Sequence, residues 1–285
     1  MDKKPIFQVS DNDLGMRLDN FILKQRRHIT KSVLYKLIRK GQVRVNGKRC
    51  KPELKLDVND TVRVPPFIFF DEKEKVQVPD ASRARMTQAI VFEDADYVVL
   101  NKPAGIPCHV GTGHDFGVIE IIQSMPEYTE TQLAHRLDVH TSGCLLLAKN
   151  RQALLAFQAA MKDHQVEKQY LAKLEGKLSS EKTVDLPLNT DNRINGIRTV
   201  VPDTHGKSAE TTFKPIKFDE HHTWVVCQIK HGRTHQIRAH AASMNMSVVG
   251  DTLYGARASK GKRKIYLHAQ SLSFGDYDWR CEAGF

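Results

Sequence analysis

Two short segments of the chain concentrate the residue types that do chemistry. The first, His-Arg-Leu-Asp-Val-His-Thr-Ser-Gly at 135–143, places a carboxylate, a guanidinium and hydroxyls directly before an apolar run at 144–148. A loop carried on a rigid strand is a common place for a catalytic group. The second segment, 231–240, is rich in hydrogen-bond donors and holds Arg233 and Arg238. Asp138 is therefore the first candidate for a reacting carboxylate.

Other chemistries fit these segments less well. The histidines of both segments could bind a metal, but their spacing does not match H-E-x-x-H or H-x-E patterns. That spacing leads us to expect no metal. Ser142 is not set in a G-x-S-x-G elbow, which disfavours a serine nucleophile. The chain has no G-x-G-x-x-G or G-x-x-x-x-G-K-[ST] sequence, so we also expect no nucleotide cofactor. The structural alternative is that Asp138 only caps or ion-pairs a loop.

The first part of the chain, residues 14–65, reads as a small α/β unit. Apolar residues recur at helical spacing from Leu14 to Ile22, and again from Val33 to Ile38 behind a possible N-cap at Thr30. Gly41 suits the end of the second helix, and Asn-Gly at 46–47 indicates a hairpin turn. A strand at 61–64 completes the unit, and we place a linker at 66–86.

Positive charge is concentrated in this unit. The chain of 285 residues has a net charge of +10, yet residues 1–65 alone hold 16 basic and 7 acidic side chains. A local excess of this kind predicts a module that binds a polyanion, and a surface that only promotes solubility is the alternative. The basic residues expected to contact phosphates of this polyanion are Arg17, Lys31, Arg39, Lys40, Arg44 and Lys48.

Residues 87–285 form the larger predicted domain. Strand-like segments are interrupted by a few helices without regular βαβ alternation, which predicts an α+β domain with a mixed, mostly antiparallel sheet flanked by helices. No run of 18 apolar residues and no apolar signal region occur, and the five cysteines form no C-x-x-C pair. We therefore expect a cytoplasmic, monomeric protein without a membrane segment.

Several motifs in order along the chain resemble known families. Residues 17–21, 32–41 and 43–48 resemble an S4 domain, a small RNA-binding module. Residues 100–105, 135–138, 141–149, 168–172, 232–238, 250–255 and 267–269 resemble the signature of the RluA-type pseudouridine synthases. Further likeness at 51–56 and 116–120 points to one branch of that family. Together these motifs cover nearly the whole chain.

The resemblance implies a reaction and roles for named residues. A chosen uridine in RNA would become pseudouridine: the N-glycosidic bond breaks, and C5 is joined to the sugar, without a cofactor. Asp138 matches the catalytic aspartate and Arg233 the basic residue that pairs with it. Tyr170 matches a tyrosine that stacks on the uracil and could assist proton removal from C5, and Leu267 matches an apolar residue beneath the base.

The same resemblance bears on how the RNA is bound. The target nucleotide must be flipped out of its stack, and Arg136 would fill the vacated space, a plain phosphate contact being the alternative. Arg238 is expected to contact substrate. The implied substrate is RNA, most specifically the large-subunit ribosomal RNA. A transfer RNA substrate, or a non-catalytic RNA-binding or ribosome-assembly factor, is the alternative. Attack at C6, an acyl intermediate at C1′ and a glycal route all stay open.

Overall fold

The computed structural model describes residues 5–26, 29–66, 68, 78–110, 114–194, 197–255 and 264–285. The chain divides into two compact units, the smaller built on Met1–Gln77 and the larger on Val78–Lys149 and Ala153–Phe285. Of the expected linker at 66–86, residues 67 and 69–77 lie outside the described residues. Its remainder includes the start of helix α3 (Asp80–Gln88), whose Met86 is fully buried in the core of the larger unit.

The small unit packs two helices on a three-stranded antiparallel sheet. The strands are β1 (Ile6–Gln8), β2 (Arg44–Val45) and β3 (Thr61–Arg63), in the order β1-β3-β2. The helices are α1 (Leu18–Gln25) and α2 (Lys31–Arg39). Their apolar faces, centred on Phe21 and Leu34, form one core with the sheet. Burying such faces provides most of the stability of short helices, which are marginal alone.

Local signals in the sequence set the ends of these elements as predicted. The Thr30 hydroxyl accepts a hydrogen bond from the backbone N–H of Val33, which caps α2. Gly41 follows the helix with φ of 71°, a conformation that glycine adopts without strain. Asn46 and Gly47 have φ of 48° and 76°, as a tight hairpin turn requires.

The larger unit is built on one ten-stranded sheet, which confirms the α+β prediction. The strand order is β4-β5-β7-β14-β8-β13-β12-β9, with β15 beside β14 and β6 beside β7. Every pairing is antiparallel except β7 with β14. The strands are β4 (Ile90–Glu93), β5 (Tyr97–Lys102), β6 (Gln132–Leu133), β7 (Ser142–Ala148), β8 (Glu167–Glu175), β9 (Lys182–Asp185), β12 (Glu210–Phe218), β13 (His222–Ile229), β14 (Leu267–Phe274) and β15 (Tyr277–Arg280).

Helices and a separate hairpin complete the larger unit. The helices are α3, α4 (Val118–Gln123), α5 (Arg151–Lys162) and α6 (Gln236–Ser243), and the hairpin is β10 (Leu188–Ile194) with β11 (Ile197–Pro202). A short 3₁₀ helix, Thr252–Tyr254, lies between α6 and β14. In the described part of the chain, no helix has the length and apolar character needed to cross a membrane.

The parallel pairing of β7 with β14 brings distant parts of the chain together in the middle of the sheet. Ser142 pairs with His268 and Gly143 with Ala269, so the loop before β7 and the first residue of β14 lie side by side. On the other side of β14, Ala269 faces Tyr170 of β8. Asp138, Leu267 and Tyr170 are therefore neighbours through sheet register, although they are far apart in sequence.

Gly143 is needed for this pairing. It has φ of 108°, and a Cβ built on it would overlap the carbonyl oxygen of Ala269. We expect Gly143→Ala to destabilise the larger unit by about 3 kcal/mol or more, since it adds backbone strain to a steric overlap. Denaturant unfolding followed by tryptophan fluorescence measures this, because Trp224 and Trp279, the two tryptophans, both lie in that unit.

Gly275 provides the matched control. Its φ is also positive, at 55°, but a Cβ there meets nothing within 4 Å. Gly275→Ala should therefore cost only the left-handed strain of about 1 kcal/mol. Equal losses in the two variants would show that the close approach of β7 to β14 is unimportant for stability.

Candidate active site

Asp138 lies in an open cleft beside the interior strands β14 and β8 of the large sheet. The space inside the cleft, including the solvent at its open mouth, is about 410 Å³. Its walls come from the loop before β7, from β8, from the β13–α6 segment and from the start of β14. The Asp138 side chain is 23% exposed, so its carboxylate can meet a molecule that enters the cleft.

Among the described residues, Arg238 of α6 is the cation closest to this carboxylate. Its Nη1 lies 3.6 Å from Asp138 Oδ2, while Nε and Nη2 bind the two oxygens of Asp251 at 2.6 and 2.9 Å. Arg238 is 5% exposed and Asp251 is fully buried. A bidentate pair of this kind holds the guanidinium in one orientation, so its third nitrogen stays directed at Asp138.

His235 faces Asp138 from the residue before α6. Its Nε2 is 3.9 Å from Asp138 Oδ2, and its Nδ1 is 3.0 Å from the hydroxyl of Tyr254. The Tyr254 oxygen accepts the backbone N–H of Val200, which leaves its own hydrogen for Nδ1. Burial raises the pKa of Tyr254 to about 12, so this hydrogen is retained at neutral pH. The contact with Tyr254 holds the His235 ring so that Nε2 faces the carboxylate.

Arg233 is not the partner of Asp138, and that prediction was wrong. Its Nε donates to the backbone carbonyl of Ser208 at 3.1 Å, and within the described ranges it makes no ion pair with Asp138. Arg233 lies in the loop before α6, on the cleft wall. Arg238, which we expected to contact substrate, occupies the place beside the carboxylate because it follows on the first turn of the helix.

Tyr170 and Leu267 are among the apolar residues that line the cleft, and their contact with a substrate base stays a prediction. They are 8% and 3% exposed and belong to the neighbouring strands β8 and β14. Burial raises the pKa of the Tyr170 phenol, which therefore stays protonated at neutral pH and is a weak proton acceptor. Its ring is the feature best suited to contact a planar base.

Lys102 supports the loop that carries Asp138. Its ammonium is fully buried at the end of β5 and donates to the carbonyls of Pro103, Ile106 and Val139, the last at 3.3 Å. Burial lowers the pKa of Lys102 to about 8. These bonds tie the residue after Asp138 to the neighbouring turn.

The remaining predicted residues lie on exposed surfaces. Arg136 is exposed on the cleft wall. Of the residues predicted to bind phosphates in the small unit, those that are exposed are Lys31, Arg39, Lys40 and Lys48. Arg44 is half-buried and donates to the Gly47 carbonyl, and Arg17 is 42% exposed. Two hydrogen bonds from Arg17 to the buried carboxylate of Asp19 hold its guanidinium in place.

Sequence reasoning missed three residues of the site: His235, Asp251 and Tyr254. All three stood inside recognised motifs, but their spacing gave no role to any of them. One signal was available for His235, since it lies three residues before Arg238, a spacing that places two side chains on one helical face. Asp251 and Tyr254 reach the site only through tertiary packing.

Two known family models match the chain, one in each of its two structural units. Residues 96–243 match the model of the RNA pseudouridylate synthase family, and residues 16–62 match that of the S4 domain. The segment of this chain that matches the RNA pseudouridylate synthase model contains Asp138, Tyr170 and Arg238.

Curated relatives match along almost the whole chain. Ribosomal large subunit pseudouridine synthase C of Salmonella typhimurium is 39% identical over 280 residues, which cover 94% of this chain and 88% of the relative. The protein of that name from Vibrio cholerae is 40% identical over 93% of this chain and 87% of its own length. The likeness to one branch of the family, expected from residues 51–56 and 116–120, agrees with these matches.

Solved structures share the fold of the larger unit. Human RNA pseudouridylate synthase domain containing 1 superposes with a TM-score of 0.59 at 24% identity, covering 69% of this chain and 84% of the human chain. Human RNA pseudouridylate synthase domain containing 4 gives 0.59 at 22% identity, covering 71% and 91%. With the family model spanning the catalytic unit and the relatives aligned nearly end to end, the chain belongs to the RNA pseudouridylate synthases, the enzymes that isomerise uridine in RNA to pseudouridine.

Proposed function

We propose that this enzyme acts on uridines of large-subunit ribosomal RNA, with Asp138 as its catalytic carboxylate. The substrate is inferred from the relatives, which are named for the large ribosomal subunit and align over 93–94% of the chain. This substrate would place the enzyme in the cytoplasm. The N1–C1′ bond breaks, a C5–C1′ bond forms, C5 loses a proton and N1 gains one. Atoms and electrons are conserved, so the reaction consumes no co-reactant.

The cleft suits a uridine extruded from RNA. A base stacked within a helix cannot reach the carboxylate, so the nucleotide must be flipped at a cost of a few kcal/mol. The ring of Tyr170 and the side chain of Leu267 would hold the uracil between them. Arg136 is exposed at the cleft and would occupy the space that the flipped base leaves in the RNA.

The surroundings of Asp138 support a reacting carboxylate. Arg238 Nη1 lies 3.6 Å from its Oδ2, and His235 Nε2, at 3.9 Å, faces the same oxygen. Two nitrogens thus face Oδ2, and within the described residues no side-chain hydrogen bond engages Oδ1. That oxygen would be free to attack the nucleoside.

The observation that carries this proposal is the meeting of Asp138, Arg238, Tyr170 and Leu267, from four separate segments, in one open cleft. Pseudouridine mapping in ribosomal RNA from cells with and without the gene tests it. We expect one or more large-subunit positions to lose the modification, and the purified protein to restore it. If only transfer RNA lost pseudouridine in the cells without the gene, transfer RNA would be the substrate instead of ribosomal RNA.

The small unit should supply phosphate affinity but no chemistry. Lys31, Lys40 and Lys48 are exposed on it, so the triple variant K31A/K40A/K48A removes three possible phosphate contacts. We expect weaker RNA binding at every salt concentration and a slope of log K against log salt that is smaller by about 2–3. The kcat for pseudouridine formation should stay unchanged, since the cleft belongs to the larger unit.

A charge-matched variant of the larger unit provides the control. Lys177, Lys182 and Lys217 are equally exposed there. K177A/K182A/K217A carries the same net charge and should retain most of the wild-type salt slope. Equal effects of the two triple variants would mean that overall charge, rather than the small unit, attracts the RNA.

A further inference from the structure

Lys168 is a buried ammonium without an anionic partner. It lies on β8 and is 8% exposed. Its Nζ approaches the thioether sulfur of Met161 at 3.3 Å, a weak acceptor, and no carboxylate lies within 4.0 Å of it in the described part of the chain. Burial lowers the pKa of Lys168 to about 8, so the group is still mostly charged at pH 7. A buried unpaired cation is costly for folding, which calls for an explanation.

This ammonium lies beside the active-site cleft. Lys168 and Tyr170 are two residues apart on one strand and so point to the same face of the sheet. Its Nζ is 3.5 Å from the position that a Cβ would take on Gly232, which lines the cleft. Lys168 is thus adjacent to the place where the proposed substrate enters.

The surroundings are positive and hold a second buried nitrogen without a hydrogen-bond partner among the described residues. His231, next to Gly232, has a buried Nδ1 that makes no hydrogen bond, and its ring is 5.6 Å from that of His164. Burial, followed by the charges of Arg233, His164 and Lys230, lowers the pKa of His231. The one opposing carboxylate among these neighbours is that of Glu210, 3.7 Å from Lys230.

We propose that Lys168, assisted by His231, binds a backbone phosphate of the RNA next to the flipped uridine. An oxyanion would supply the anionic partner that the Lys168 ammonium lacks, and its charge would offset the cost of burying that ammonium. The glycine at 232 keeps the approach to Nζ open. Such a contact holds the nucleotide by its backbone while Asp138 acts on the glycosidic carbon or the base. This inference rests on the proposed RNA substrate.

The test compares Lys168→Met with wild type in the full-length protein. Methionine has a similar length and carries no charge, so it removes the anion contact but preserves packing. Lys217→Met, at an exposed position on β12, is the control. RNA affinity is measured against salt, with KM, kcat and the midpoint of thermal unfolding for each variant.

We expect Lys168→Met to unfold at the same temperature as wild type or higher, because an unpaired buried charge is gone. RNA affinity should fall about tenfold, and the salt slope should decrease by about 1. An RNA with an uncharged methylphosphonate at the contacted phosphate should bind wild type more weakly and Lys168→Met no more weakly than normal RNA does. Lys217→Met should resemble wild type.

Two results would overturn the inference. A lower unfolding temperature with an unchanged salt slope would make Lys168 a structural residue. The second concerns the methylphosphonate RNAs. If every substitution that weakens binding to wild type also weakened binding to Lys168→Met further, the phosphate contact would lie elsewhere. Binding is measured without turnover, so failure to form pseudouridine would count against the proposed function and not against this site.

Discussion

Asp138→Ala is expected to abolish pseudouridine formation, with a loss of at least about 10³-fold in kcat, while RNA binding persists. Among the described residues, the carboxylate is the one acidic group on the cleft wall, and Arg238 and His235 both face it. Removing it leaves Arg238 still paired with Asp251, so the fold should survive. Pseudouridine in a ribosomal RNA transcript, RNA affinity and the unfolding midpoint are the three measurements.

Asp138→Asn separates charge from shape. The amide keeps the size of the side chain but cannot act as an anion, so we expect it to be as inactive as alanine. Asp276→Ala, at an exposed turn between β14 and β15, serves as the control and should retain full activity. Substantial turnover by either Asp138 variant would end the assignment of this residue as catalytic.

Arg238→Met should damage both stability and activity. It leaves Asp251 as a fully buried carboxylate without its guanidinium, and the loss of one partner of a buried pair costs about 3–5 kcal/mol. It also removes the cation 3.6 Å from Asp138, which lowers the fraction of correctly oriented carboxylate. Unfolding followed by tryptophan fluorescence and single-turnover kinetics measure the two effects.

A double variant distinguishes these two roles of Arg238. In Arg238→Met/Asp251→Asn the unpaired buried charge is gone, so part of the lost stability should return. Activity should not return, since Asp138 still lacks its cation. Recovery of turnover together with stability would mean that Arg238 serves only the fold.

Local structure in the small unit was predictable because its signals are local. The cap at Thr30, the stop at Gly41 and the Asn46–Gly47 turn each depend on a few consecutive residues. Burial on alternate residues of β8 was likewise visible in the pattern at Tyr170, Ala172 and Leu174. The order of the strands in the large sheet carries no such signal, because it depends on contacts between distant segments.

The error at Arg233 has the same origin. Arg233 and Arg238 are chemically equivalent in sequence, and both lie in the donor-rich segment. The helix begins at Gln236, so Arg238 is carried inward to meet Asp251, while Arg233 stays in the loop and binds the Ser208 carbonyl. Choosing between them required knowing where Asp251 lies.

By itself, the sequence determined that a basic module precedes an α+β domain, because composition, periodicity and motif order are properties of the chain. It also singled out the Asp138 loop and the donor-rich segment as the candidates for the chemistry. Only the tertiary structure decided which side chains meet that carboxylate. The parallel pairing of β7 with β14 and the buried Arg238–Asp251 pair set this choice, and both arise from packing between residues that the sequence keeps far apart.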